Sequence, residues 1–84
     1  MTVESFAARV RDYCSILRGS VTSWGRTESR NAMVGGVPNS RHLLFLAVDV
    51  VYDHPVTVEQ AIDLAGSFGL RVIREGDHDH IQPR

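Results

Sequence analysis

Apolar residues recur over the first seventeen positions at three- and four-residue steps: Val3, Phe6, Ala7, Val10, Tyr13, Cys14 and Leu17. That spacing draws one stripe along a helix. Thr2 offers an oxygen to the free N–H groups at its start, Glu4 suits the first turn, and Gly19 after Arg18 suits a stop. Ser20 to Trp24 is short and β-prone, which predicts a strand leading into a Gly25-Arg26 turn. Thr27 to Met33 reads as a short helix, and Gly35-Gly36-Val37-Pro38-Asn39 as a loop. From Leu43 to Val51 the chain is apolar except at Asp49, and its valine-rich second half predicts a buried strand over Ala47 to Tyr52.

His54-Pro55 ends that strand. Thr57 and Gln60 then have the spacing of a capping box, in which each side chain serves the other's backbone N–H. Val58, Ala61, Ile62, Ala65 and Phe68 form a second helical stripe that Gly69 closes. Leu70 to Arg74 and His78 to Gln82 read as two short strands about a Glu75-Gly76-Asp77 turn. The order of helix, loops, strand, helix and hairpin predicts an α+β domain, its helices packed on one small antiparallel sheet. No repeat, low-complexity stretch or linker divides the chain, so residues 1–84 are read as a single domain.

Composition narrows the function. A chain of 84 residues buries only about 60% of its unfolded surface, so its core is thin and a bound metal would add to its stability. A net charge of −1, with the arginines scattered, argues against a nucleic-acid partner. No segment approaches the roughly 20 apolar residues of a membrane span. Glu4, Arg9, Arg11 and Asp12 interrupt the N-terminal segment, which therefore lacks the apolar core of a secretion signal. The expectation is a soluble monomer that is cytoplasmic as synthesised. The single cysteine, Cys14, falls on the first helical stripe and reads as a buried, inert thiol.

Two segments carry chemistry. Ser40-Arg41-His42 lies seven residues before Asp49, and Asp77-His78-Asp79-His80 lies near the C-terminus. A carboxylate in the middle of an apolar strand must be paired, hydrogen-bonded or bound to metal. His78 and His80 project to one face of a strand. Two imidazoles and one carboxylate, with a position left for water, form a ligand set of catalytic zinc. On spacing alone the plain alternatives stay open: Asp49 paired with an arginine, and the histidines on the surface. His54, before a proline, reads as solvated, and Trp24 as a half-buried core residue ahead of a role in a substrate cleft.

The wording of several segments, taken in order, resembles the zinc D-alanyl-D-alanine carboxypeptidases and their hedgehog-like relatives. Val21-Thr22-Ser23-Trp24-Gly25-Arg26 is similar to the strand-then-arginine segment of that family, and Asn31 with Val34-Gly35-Gly36 to its glycine-bearing loop. Ser40-x-His42 with Ala47-x-Asp49 resembles the first metal motif, and Asp77-His78-x-His80 the second. The likeness runs from Val21 to the end of the chain. It implies that His42, Asp49 and His80 hold Zn2+. Asp77 matches the general base that takes a proton from the attacking water and passes it to the leaving amine, with Glu75 as the second carboxylate for that role.

By the same resemblance His78 can donate to the developing oxyanion, and Arg26 holds an anionic part of the substrate by a bidentate contact. Ser40 lies beside the first ligand and can orient it. Asp77 can reach the site only if Gly76 bends the chain so that it sits at the turn. One departure stands out: Phe45 occupies a position where relatives usually carry glycine, which bears on substrate access more than on metal binding.

The expected activity is hydrolysis of a peptide bond in bacterial peptidoglycan stem peptides or small D-amino-acid peptides, in the manner of a D-Ala-D-Ala carboxypeptidase or a phage endolysin. The alternative is a zinc-containing binding module without catalysis.

Overall fold

The computed structural model describes residues 1–24 and 46–84. Its elements are α1 (Val3–Leu17), β1 (Gly19–Trp24), β2 (Val48–Tyr52), α2 (Val58–Ser67), β3 (Leu70–Glu75) and β4 (His78–Pro83). The strands form one antiparallel sheet in the order β1-β2-β4-β3. This is the α+β architecture that the alternation of helical and strand periods predicts. The expected helix at Thr27 to Met33 and the loop after it lie outside the described residues.

Local signals account for the element ends. The Thr2 side chain accepts from the Ser5 backbone N–H at 3.0 Å and starts α1. The predicted capping box is formed: Thr57 Oγ1 accepts from Gln60 N at 3.1 Å, and Thr57 N donates to Gln60 Oε1 at 2.9 Å. Each such cap stabilises a helix by about 1 kcal/mol.

The end of α1 differs from expectation. The left-handed residue is Arg18, at φ 58°, and Gly19 already belongs to β1. Position 19 requires glycine for another reason: a Cβ there would lie 2.7 Å from Val50 Cγ1, so the close approach of β1 to β2 excludes a side chain.

Both helices cover one face of the sheet. Phe6, Val10 and Tyr13 of α1 and Ala61 and Ala65 of α2 meet Val48, Val50, Leu70, Val72 and Ile81 in one buried cluster. Each large aliphatic or aromatic side chain buried there stabilises by about 1.5–3 kcal/mol relative to exposure. Trp24, at 37% exposure, closes the edge by an edge-to-face contact with Phe6, ring centroids 5.6 Å apart. Cys14 borders this core, and burial pushes its thiol up to about 11. Little thiolate therefore forms at pH 8, and iodoacetamide is expected to label the native protein far more slowly than the urea-unfolded chain. Equal labelling rates in the two states would show that α1 does not seal the thiol.

A buried polar network crosses the same face. Asp79, fully buried, accepts from Arg74 through Nε and through Nη2 at 3.1 Å, and from the Tyr52 hydroxyl at 2.7 Å. Since a carboxylate only accepts, Tyr52 spends its proton on Asp79. Tyr13 must then be the donor in the 2.7 Å contact between the two hydroxyls. Arg74 Nη2 also donates to the Val56 carbonyl at 2.9 Å, which ties the β2–α2 loop to the sheet. Burial raises Tyr13 to about 12 and, together with the bonds to Tyr13 and Asp79, raises Tyr52 further.

Candidate metal centre

The other face of the sheet carries the chemistry. In β2 the side chains of Val48 and Val50 enter the core, so Asp49 between them points to the opposite face. Asp49 is paired directly across the β2–β4 ladder with His80. In β4 the same alternation sends Asp79 and Ile81 inward and His78 and His80 to the Asp49 side. The β3–β4 register places Ile73 opposite His80 and Glu75 opposite His78. Asp49, His78, His80 and Glu75 thus share one patch near the hairpin end of the sheet.

Gly76 makes the hairpin tight. It sits at φ 66°, and only Gly76 and Asp77 separate the last pair, Glu75 and His78. Gly at the first position of a two-residue loop with positive φ is the pattern of a type II′ turn, whose twist matches the strands it joins. Asp77 accordingly sits at the turn, as its expected role requires. Its side chain is nonetheless 98% exposed, with Oδ1 at 3.1 Å from His78 Nδ1.

Distances define the centre. Asp49, at 2% exposure, has Oδ1 3.6 Å from His80 Nδ1 and 3.9 Å from His78 Nε2. One donor atom each from Asp49, Glu75 and His80 lies within 4.8 Å of the others. Donors about 2.0–2.1 Å from a tetrahedral zinc stand roughly 3.3 Å apart, so a small inward shift closes this set on a cation. Two carboxylates and an imidazole are also the right chemistry for a divalent metal. The residues fit the group.

The ring of His80 is oriented by Gln82, two residues along the same strand and on the same face. His80 Nε2 lies 3.0 Å from Gln82 Oε1. An amide oxygen only accepts, so Nε2 donates to it and Nδ1 is the nitrogen that faces Asp49. In a neutral ring held this way, Nδ1 is the atom that can bind metal. Nothing in the spacing of the chain pointed to Gln82 beyond its position two after a candidate ligand.

His78 is held differently. Its Nδ1 faces Asp77 and its Nε2 lies 3.2 Å from Glu75 Oε1, so both ring nitrogens meet carboxylates. Asp77 first, then Glu75 and the charge of Asp49, raise its pKa, and His78 in turn lowers that of Asp77. These contacts hold the ring beside the Asp49, Glu75 and His80 donor group, outside it.

Among the sequence-predicted residues, the fold brings Asp49 and His80 together, with His78 beside them and Asp77 one residue outside the patch. His42, Arg26, Ser40 and Phe45 lie outside the described residues. A cleft of about 470 Å³ opens beside His78 and Asp77, between Tyr52 to Val56 on one side and Arg74 and Gly76 on the other. The β2–β4 ladder stops at Val50 and Asp79, whereas β2 continues to Tyr52 and the hairpin to its turn. The cleft fills the fork between them. Exposed His54 lines it, its Nδ1 at 3.2 Å from the Pro55 carbonyl oxygen.

No helix among the described residues is long and apolar enough to cross a membrane. Neither a curated protein nor a solved structure matches the chain. A family model described as Peptidase M15 matches residues 6–82, nearly the whole chain and every element of the sheet that carries Asp49, His78 and His80. With its α+β fold and its Asp-Glu-His cluster, the chain belongs to the peptidase M15 family, the metal-dependent peptidases of the D-Ala-D-Ala carboxypeptidase type.

Proposed function

We propose that this protein is a zinc-dependent peptidase acting on the stem peptides of bacterial peptidoglycan or on small D-amino-acid peptides. The observation that carries the reading is the convergence of Asp49 and His80 across the β2–β4 ladder, inside a chain matched along its length by a peptidase family model. His80, through Nδ1, and Asp49, through Oδ1, would hold the metal, with His42 as the third ligand implied by the family pattern. When bound, zinc polarises the scissile carbonyl and makes water a nucleophile near neutral pH.

The chain's own residues do the rest. His78 donates an N–H towards the carbonyl oxygen as negative charge develops there, the kind of preorganised contact that stabilises a transition state most effectively. A carboxylate at the hairpin end takes a proton from the attacking water and delivers it to the leaving amine. The cleft beside His78 accepts the substrate peptide, and Arg26 and Ser40 are assigned to holding its anionic end and to orienting the first ligand. Its place of action is the cell wall, reached through phage lysis or as part of a virion, and it acts as a monomer.

Phe45, in the place where relatives usually carry glycine, favours a second reading: a zinc-containing binding module with a narrowed cleft. One experiment separates the two. Zinc-loaded protein is incubated with purified peptidoglycan, and the soluble fragments are identified by mass. New free amines with cleaved stem peptides support the peptidase and name the scissile bond. Intact wall with retained zinc supports the binding module.

A further inference from the structure

The β2–β4 ladder ends at Val50 and Asp79, and beyond that pair the two strands part. β2 runs on to Tyr52 and into the loop from Asp53 to Val56, while the hairpin runs on to Gly76 and Asp77. A fork without ladder bonds has no backbone contact to fix how far it opens. Side chains cross it instead. The Tyr52 hydroxyl, on the first prong, donates to Asp79 Oδ2 at 2.7 Å. Arg74, on the second prong, donates through Nη2 to the Val56 carbonyl at 2.9 Å and holds Asp79 through Nε and Nη2. Tyr52, Val56 and Arg74 also line the cleft of about 470 Å³ that fills the fork, with His54 on one rim and Asp77 and His78 on the other.

We infer that Arg74 is a positioning residue for the substrate: by bridging the fork it sets the width of the cleft beside His78, and with it the affinity for the peptide. The inference rests on the peptidase reading above and deepens it. Both ends of the loop are tied away from the hairpin. Asp53 N donates to the Arg18 carbonyl at 3.0 Å, and Thr57 N to Gln60 within the α2 cap. The bond from Arg74 to Val56 joins the far end of the loop to the strand that leads into the turn. A guanidinium suits that task, because its planar fork meets a carboxylate and a carbonyl at once from fixed directions. An ammonium is a point charge on a flexible stem and cannot.

The kinetic consequence follows from where Arg74 stands. Its side chain belongs to the Asp79 face of the sheet, whereas Asp49 and His80 lie on the other, so it does not reach the metal position. A cleft held at one width binds a peptide without first having to order its own walls. That contribution is the same for bound substrate and transition state, so its loss raises KM and leaves kcat.

Arg74→Lys keeps a positive charge beside Asp79 and gives up the span. In stem-peptide hydrolysis it is expected to raise KM about ten-fold with kcat within about two-fold of wild type. Zinc affinity should stay as in wild type. A second measurement reads the cleft without catalysis: nitroxide labels are placed on Asp53→Cys and Asp77→Cys in a Cys14→Ala background, and the distance between them is measured in the metal-free protein. The distribution should be narrow with Arg74 present and broader in Arg74→Lys. Tyr13→Phe removes a hydroxyl of the same network that does not cross the fork, and should leave both KM and the distance as in wild type. Tyr52→Phe removes one crossing and keeps the ion pair; it should raise KM about three-fold and decides the case if Arg74→Lys does not fold. A wild-type KM, a loss confined to kcat, or an unbroadened distance in the deciding variant overturns the inference while the peptidase reading stands. So does an equal rise of KM in Tyr13→Phe, which would show that general loosening is enough. Wild-type protein that cleaves no stem peptide overturns both.

Discussion

Asp49→Asn is expected to abolish zinc binding and peptide hydrolysis together while leaving the metal-free fold in place. The side chain keeps its shape but loses the charge that a divalent cation requires at the most buried point of the centre. Loss of an outer hydrogen-bond partner of a ligand already costs about 10–100-fold in affinity, and loss of a ligand itself costs more. Thermal unfolding gives a second reading. At a free zinc concentration about 100 times its dissociation constant, binding stabilises the native state by about 2.7 kcal/mol. In a domain of this size that raises Tm by roughly 10–20 °C. The rise should be present in wild type, removed by a chelator, and missing from Asp49→Asn. A variant that keeps the zinc-dependent rise would show that the metal is held elsewhere.

Asp79→Ala is expected to be the most damaging change away from the metal centre. It leaves the Tyr52 hydroxyl and the Nε edge of Arg74 facing an empty, buried position. Breaking a buried pair by removing one partner costs about 3–5 kcal/mol. The Arg74 side chain is one-third exposed and can recover water, so the lower end applies, about 3 kcal/mol. The whole domain is held by only about 4–12 kcal/mol, so much of its stability goes. A urea titration should show the midpoint falling by about 2–3 M. Tyr13→Phe removes only the last donor of the relay and should cost about 1 kcal/mol. Equal midpoints for wild type and Asp79→Ala would mean that the network contributes nothing to the fold.

These two aspartates show where sequence reading reaches and where it stops. Both lie in strands and both end buried. Asp49 was legible as a site residue because it interrupts an apolar run, which needs a cause. Asp79 sits between two histidines, and nothing in that position marks its partners. Strand alternation assigns it to the other face, and that face is the core, but only the packing of α1 on the sheet and the placing of β2 and β3 on either side of β4 supply Tyr13, Tyr52 and Arg74 around it. Glu75 and Asp77 divide in the same way. Their spacing to His80 offers both as carboxylates of the site, and the hairpin register places them differently, Glu75 opposite His78 and Asp77 in the turn.

The amino-acid sequence alone determined the element order, the helix starts at Thr2 and Thr57, the hairpin about Gly76, the α+β class and the pairing of Asp49 with a distant histidine segment. Those properties depend on periodicity and on contacts within a few residues, which spacing records directly. The register of β2 against β4, the orientation of the His80 ring by Gln82, the buried Asp79 network and the place of Glu75 opposite His78 were decided by the tertiary structure. Each depends on which strand lies beside which and on what covers a face. Neighbours in space that are 27 to 39 residues apart in the chain, as Tyr52 is from Asp79 and Tyr13 from Tyr52, leave no local trace.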